Sequence, residues 1–335
     1  MKWLITGGCG FIGTNLIAKL VTDVSNRIRV VDNLNVGKRD DLGRVCQFSE
    51  VFPSDRAELP PWTNGHPVQL AVGDILDEDL ALRAALGADV IVHLAAKTGV
   101  PFSLENPRLD CTTNILGLLN YLEAARGCGV KRFIFASSGA PIGECEPPIH
   151  EEMACHPVSP YGASKLAGEA YCSAYYHSFG VETVALRFGN VYGPGAERKT
   201  SVVPKFIRRA IKGEPLEIFG DGKQTRDFIF VDDLVRAVIL AAQANGVGGH
   251  IFQIATNRET TVTEITEKLV RHLDDAGIRN VQVRHAHPRH GDVKRNFSDT
   301  SKAKRILGWE AETDLDSGIG RTVTWWLSNR HDQSS

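Results

Sequence analysis

Trp3-Leu4-Ile5-Thr6-Gly7-Gly8-Cys9-Gly10-Phe11-Ile12-Gly13 sets the reading of the whole 335-residue chain. A short strand-like run meets glycines spaced G-x-x-G-x-x-G, and residues 15–21 follow with Leu16, Ile17 and Leu20 at helical spacing. Strand, glycine loop and helix in that order form a dinucleotide-binding turn. Small residues let the backbone approach a pyrophosphate, and the helix N-terminus supplies amide donors and the positive end of a dipole. Gly7, Gly10, Phe11 and Ile12 are the candidate contacts of this loop. The next strand, Ile28-Arg29-Val30-Val31, runs into Asp32. A carboxylate about 20 residues past the loop suits the two hydroxyls of an adenosine ribose and repels a 2′-phosphate. That favours NAD over NADP, although Lys38 and Arg39 lie close by in sequence and argue the other way.

Outward from this turn, strands and helices alternate. Residues 68–72 read as a strand closed by Gly73-Asp74-Ile75, and 80–86 as a short helix. Residues 90–94 form a buried strand ending in Ala95-Ala96, 110–126 a helix containing Asn114, and 132–136 a strand running into Ser137-Ser138-Gly139. A helix from 161 to about 178 and a strand over 182–188 complete the series. Such alternation argues an α/β fold built on a doubly wound parallel sheet of Rossmann type. Its ligands gather at the carboxyl ends of the strands, where Asp32, Asp74, Ala95 and Ser138 all fall. Residues 44–66 show no period and read as a surface insertion. Beyond 188, shorter elements punctuated by Gly213, Pro215, Gly220 and Gly222 suggest a smaller, interleaved substrate-covering region. Residues 228–231 and the helix over 232–242 are read as a return to the main layer. The expected division is an NAD-binding domain of 1–188 plus about 227–246, and a smaller domain of about 189–226 plus 247–330.

Composition narrows the class. A net charge of −2 gives no support to binding of nucleic acid or an anionic membrane. No apolar run approaches the roughly 20 residues a bilayer span needs. Seven scattered cysteines without a Cys-x-x-Cys argue against a disulfide framework or a metal site and fit a reducing cytoplasm.

The chemistry is expected in Ser159-Pro160-Tyr161-Gly162-Ala163-Ser164-Lys165. Positions i and i+4 of a helix share a face, so Tyr161 and Lys165 stack there. A nearby positive charge favours the phenolate, which makes the pair a proton-transfer device.

Taken together, the glycine loop, Asp32-Asn33-Leu34, Gly73-Asp74-Ile75-Leu76, His93-Leu94-Ala95-Ala96, Ser137-Ser138 and Tyr161-x-x-x-Lys165 resemble the extended short-chain dehydrogenase/reductase family. So do Leu186-Arg187-Phe188-Gly189-Asn190-Val191-Tyr192-Gly193-Pro194 and Arg226-Asp227-Phe228, and within the family the chain is most similar to UDP-sugar 4-epimerases. The resemblance covers nearly the whole length. It implies that Tyr161 is the general acid/base at the sugar 4-hydroxyl, with Lys165 holding the nicotinamide ribose and lowering the tyrosine pKa, and Ser138 helping relay the proton. Hydride then passes between sugar C4 and the nicotinamide, the 4-keto sugar rotates, and the hydride returns to the opposite face. The implied cofactor contacts further include Asn33, Asp74, Ile75, Ala95, Ala96, Lys97 and Asn114. The implied substrate contacts are Asn190, Val203, Phe219, Arg226, Arg289, Asp292 and Asn296, with the two arginines clamping a diphosphate. A homodimer through the helices around 110–126 and 161–178 is implied as well.

Departures from the family pattern refine this. Related dehydratases carry an Asp-Glu pair directly after the serine or threonine, and related decarboxylases a glutamate just beyond it. Here Ser138 is followed by Gly139-Ala140-Pro141-Ile142-Gly143, with no acid before Glu144. Elimination needs a second acid/base pair, so epimerisation is favoured. Pro141-Ile142 stands where the family has Val-Tyr, which alters one expected wall of the sugar pocket. Asn296 aligns with a position that gates pocket width, and its modest size admits N-acetylhexosamines. Lys97, Arg198 and Lys199 leave UDP-glucuronate open as an alternative substrate, the last two being otherwise solvated loop charges. A non-catalytic NAD-binding regulator is a remote alternative, disfavoured because Ser138, Tyr161 and Lys165 are all present.

Overall fold

The computed structural model describes residues 1–51, 59–62, 66–288 and 293–329. Eight strands form one wholly parallel sheet: β1 (Lys2–Thr6), β2 (Arg27–Asp32), β3 (Phe48–Val51), β4 (Val68–Val72), β5 (Val90–His93), β6 (Arg132–Ser138), β7 (Thr183–Phe188) and an edge strand, Ile251–Ile254. Across the sheet the order runs Ile251–Ile254, β7, β6, β5, β1, β2, β4, β3. The chain therefore winds outward in both directions from β1 and β5. The crevice above their carboxyl ends is the place where such a sheet accepts a ligand.

Near-continuous apolar strands are what a parallel sheet covered on both faces requires. Successive residues point to opposite faces, so the strands feed two cores. Trp3, Ile5, Val30, Val92, Ile134 and Leu186 pack with α1 (Phe11–Leu20) and the helix Val231–Gln243. Leu4, Val31, Ile91, Phe133 and Phe135 pack on the other face with the helices Glu78–Ala85, Gly117–Cys128 and Pro160–Phe179. A third core, including Val203, Phe206, Leu216, Phe228, Leu269, Ile319 and Trp326, holds the smaller region together.

Three features differ from the sequence reading. The segment read as an insertion supplies β3, which pairs in parallel with β4 at the sheet edge. Four residues with two polar ones inside carry too little pattern to announce a strand, and the exposed edge of β4 recruits them. Phe228–Phe230 does not join the large sheet but pairs with Asn190–Tyr192. The helix after it does return, packing against α1. Ile251–Ile254, expected in the smaller region, instead pairs with β7 and closes the large sheet. Among the described residues no helix is long and apolar enough to cross a membrane.

The helix expected over 110–126 is also modified. Pro107–Cys111 and Gly117–Cys128 are joined by a π-helical turn, Thr112–Leu116, with Asn114 at its centre. Such single wide turns commonly mark functional positions.

Candidate active site

At the carboxyl end of β1 the backbone itself forms a cradle. Gly7 sits at φ +69°, and a Cβ on it would lie 2.8 Å from the Ala95 nitrogen. A Cβ on Gly13 would lie 2.5 Å from the Gly8 Cα, and neither contact can be relieved because both partners are backbone. Gly10 caps α1 without a side-chain acceptor, and no acidic residue occupies its first turn, which holds Phe11 and Ile12. The orphan amides of this helix end therefore face an electrically open space. Asp32, at the end of β2, is almost fully buried and accepts hydrogen bonds from the amides of Cys9 (3.0 Å) and Leu34 (2.8 Å). Burial raises its carboxyl above the ordinary range, opposed by those two amides. Asn33 donates to Asp74 at 2.8 Å, and Asp74 also accepts from the Leu76 amide, so these two form one rim of the cradle. Ile75 is buried beneath that rim, against Gly117.

Both cations that argued for a phosphorylated cofactor make contacts within the chain. Lys38 donates to the Leu34 carbonyl at 2.7 Å, and Arg39 makes a two-pronged contact with Glu50 at 2.7 and 2.8 Å. On the far side, Ala95 donates to the Thr6 hydroxyl, which lies 3.1 Å from Nδ1 of buried His93. Burial, reinforced by Lys165, lowers the imidazole to about 3, so it is a neutral spacer.

The second cluster sits where the helix Pro160–Phe179 begins. Ser159 caps it by accepting from the Gly162 amide at 3.1 Å, and Pro160 fits the first helical position. Tyr161 and Lys165 then project beside the end of β6. The Lys165 ammonium is buried, donates to the Ala136 carbonyl at 2.8 Å, and lies 5.9 Å from the Tyr161 ring centre. Ser138, whose hydroxyl accepts from the Ala140 amide at 3.2 Å, is near enough to Tyr161 to act on its titration.

The expected depression of the tyrosine pKa is not what this environment produces. Burial pushes the phenol up, Ser138 opposes that rise, and Asp110 adds to it. Desolvation of the phenolate dominates, and the Lys165 ammonium, 5.9 Å from the ring centre, does not offset it. Burial also lowers Lys165 to about 8, with Asp110 and then Glu169 pulling it back up.

Asn114 is fixed from three sides. Its side-chain carbonyl accepts from the Lys97 amide at 2.7 Å, while its amide group reaches the Lys97 carbonyl, Asp110 and Ser164 at 3.0–3.1 Å. Lys97 is thus held by its backbone, with its ammonium 5.6 Å from the Phe102 ring. Ala96 is half-buried beside it. Asp110 and Ser164 were not singled out in the sequence. Their signal was available: Asp110 is one helical turn before Asn114, and Ser164 one turn after Tyr161. Below the cluster, Glu169 and Arg187 form an ion pair with both side chains 2% exposed, and Ser137 donates to the same carboxylate at 2.6 Å. That bridge ties the tyrosine helix to the ends of β6 and β7.

The residues assigned to substrate are gathered less tightly. Asn190 begins a strand two residues past β7, its amide donating to the Asp227 carbonyl at 2.8 Å. Asp227 is itself buried and accepts from Thr256 and Ser298, another pivot the sequence did not announce. Val203 is buried on the helix Val202–Ile211. Phe219 ends the strand Leu216–Phe219, with Lys205 5.2 Å from its ring. Arg226 donates to the Val293 carbonyl at 2.6 Å, and the Asn296 amide donates to Thr225, so these two belong to one local structure. Arg289 and Asp292 lie outside the described residues. Pro141 and Ile142 are buried, and Glu144 is exposed. Arg198 and Lys199 face the cofactor half of the molecule. Arg198 pairs with Asp41 at 3.2 Å, and the Lys199 ammonium lies 5.2 Å from the Phe11 ring.

The NAD dependent epimerase/dehydratase family model matches residues 3–255. The chain belongs to this family. It is 35% identical over 331 residues to a putative UDP-glucose 4-epimerase of Methanocaldococcus jannaschii, covering 97% of this chain and 98% of the relative. The UDP-glucose 4-epimerase of Thermotoga maritima, solved with UDP-glucose, superposes with a TM-score of 0.85 at 34% identity, covering 98% of this chain and all of that one. The UDP-glucuronic acid 4-epimerase of Bacillus cereus, solved with UDP-glucuronic acid and NAD, gives a TM-score of 0.84 at 27% identity, covering 98% and 99%. This protein is an NAD-dependent enzyme, and its own residues fit the cofactor. Gly7 and Gly13 let the loop pack more closely than any Cβ would allow, α1 begins with uncapped amides, and the Asp32 carboxylate lies at the end of β2. NAD supplies a two-electron acceptor and donor of hydride.

Proposed function

We propose that the protein interconverts a 4-epimeric pair of UDP-hexoses, glucose/galactose or N-acetylglucosamine/N-acetylgalactosamine, through a transient 4-keto sugar. The observation that carries this reading is Tyr161 and buried Lys165 gathered with Ser138 at the end of β6, the ammonium 5.9 Å from the phenol ring, with no carboxylate directly following Ser138. Tyr161 takes the proton of the sugar 4-hydroxyl as C4 is oxidised and returns it after the ketone has turned. Ser138 hydrogen-bonds the same oxygen and relays the proton, while Lys165 stabilises the phenolate and orients the nicotinamide ribose. Asn114 positions Lys97 and the tyrosine helix. On the substrate side we assign Asn190, Val203, Phe219, Arg226 and Asn296 to the nucleotide sugar, with Arg289 and Asp292 completing the diphosphate and nucleotide contacts.

In this reading the large sheet carries NAD and the smaller region carries the nucleotide sugar. Elimination lacks an acid, since Glu144 is exposed. The uronate alternative has lost two of its three motivating cations, because Arg198 and Lys199 turn toward the cofactor half. We further assign a homodimer. Val100, Leu104, Leu109, Leu116 and Tyr171 are exposed on mutually packed helices that include Pro107–Cys111 and Pro160–Phe179. Free cysteines throughout the chain support a cytoplasmic setting.

The decisive experiment compares kcat/KM on UDP-glucose, UDP-N-acetylglucosamine and UDP-glucuronate. Interconversion of a 4-epimeric hexose or hexosamine pair without net NADH is expected. A 4-keto-6-deoxy product, or a preference for UDP-glucuronate, overturns the proposal.

A further inference from the structure

We propose that Lys199 is a cofactor-retaining cation, placed to neutralise the diphosphate of bound NAD at the first turn of α1. The starting observation is a half-buried ammonium that faces no carboxylate among the described residues. Lys199 donates to the Val191 carbonyl at 3.2 Å, which satisfies one of its three N–H groups. Burial lowers its pKa to about 8, and no carboxylate contributes to that shift. An ammonium in this position is costly unless an anion joins it.

Its location selects the anion. The ammonium lies 5.2 Å from the ring of Phe11, the first residue of α1, immediately after the Gly10 cap. The loop that carries it is drawn over this helix end. Asn15 bridges the Phe11 carbonyl (2.8 Å) and the Pro194 carbonyl (3.0 Å), and a Cβ on Gly195 would sit 3.3 Å from that same Asn15 amide. The uncapped amides and the ammonium therefore both lie at this helix end, which is where a dinucleotide-binding turn receives a pyrophosphate.

The loop is braced from both sides. Arg208, on the helix Val202–Ile211, donates to the carbonyls of Glu197 and Lys199. Glu197 also meets Arg44, and Arg198 meets Asp41. The position of the ammonium is thus set by the substrate region and by the segment following the glycine cradle together. An enzyme whose cofactor is regenerated in every turnover gains from holding it, and this cation does so without touching the reacting carbon. The inference rests on NAD as cofactor and is independent of which sugar is bound.

The test uses purified K199M, K199Q and K199R, measuring NAD per chain as isolated, the rate of NAD release into excess ADP-ribose, and affinity for UDP. Loss of one charge-assisted contact predicts roughly ten- to hundredfold faster release in K199M and K199Q. K199R is expected to restore most of the retention, and all three are expected to bind UDP as the parent does. Parental release rates in K199M and K199Q overturn the proposal. So does weakened UDP binding with NAD retained, which would assign the ammonium to the substrate diphosphate.

Discussion

The corner around Tyr161 and the side proposed to hold the nucleotide sugar are held together differently. At the corner, side chains hold side chains: Asn114 with Asp110 and Ser164, Glu169 with Arg187 and Ser137. On the side assigned to the sugar, the contacts of Arg226 include the Thr225 and Val293 carbonyls, and Asn296 is placed by its own backbone amide. A network of buried side chains is preorganised before any ligand arrives, whereas side chains hung from short strands are free to be respecified. Chemistry common to a family belongs in the first kind of setting and substrate choice in the second.

Substitutions at the corner are expected to act on rate and stability, and those on the other side on selectivity. Tyr161→Phe is predicted to lower kcat by roughly a hundredfold to ten-thousandfold while leaving NAD bound, since only the proton-transfer oxygen is lost. Steady-state turnover with NAD content checks this, and undiminished turnover would end the mechanism. Glu169→Ala leaves Arg187 as an unpaired buried charge and is expected to cost about 3–5 kcal/mol in urea unfolding. A loss below about 1 kcal/mol would mean the corner is not preorganised by that bridge.

The pH profile sharpens the same point. Lys165 acts as an ammonium, and burial sets it at about 8 rather than the ordinary 10.5. The contribution of Lys165 should therefore be complete below that value and be lost as pH rises through it. Asp110→Asn removes the largest charge holding the proton on, so the alkaline limb should move to lower pH. On the sugar side, Asn296→Tyr is expected to reduce kcat/KM for UDP-N-acetylglucosamine more than for UDP-glucose, by roughly tenfold if one N-acetyl contact is lost. The smallest effect belongs to Arg198→Ala. Its half-exposed pair with Asp41 is worth about 0–1 kcal/mol, and sugar preference should not change.

What the sequence made legible follows from how local each signal is. The glycine cradle, Asp32 and the Tyr161/Lys165 spacing are contained in single turns or strand ends, and the structure places them where those patterns put them. Charges on the loop after Pro194 were harder to read, because the partner of Arg198 lies 157 residues away and only the fold brings it near. The pairing of Phe228–Phe230 with Asn190–Tyr192 was hidden for a similar reason, since three-residue strands carry almost no pattern of their own. The direction of the Tyr161 shift was missed because spacing reports proximity to a charge and is silent on exclusion of water.

The wide turn at Thr112–Leu116 has a consequence for how this chain can change over time. A π-turn carries one residue more than the α-helical path, and each residue of an α-helix advances the face by about 100°. The extra residue lets Asn114 point at Lys97 while, further along, Gly117 packs on Ile75 and Tyr121 reaches to 5.5 Å from His93. Deleting any one residue of that turn would restore a regular helix and swing one set of contacts away from its partners. Apart from Asn114 the segment is therefore freer to vary in composition than in length, and insertions or deletions should be strongly selected against there.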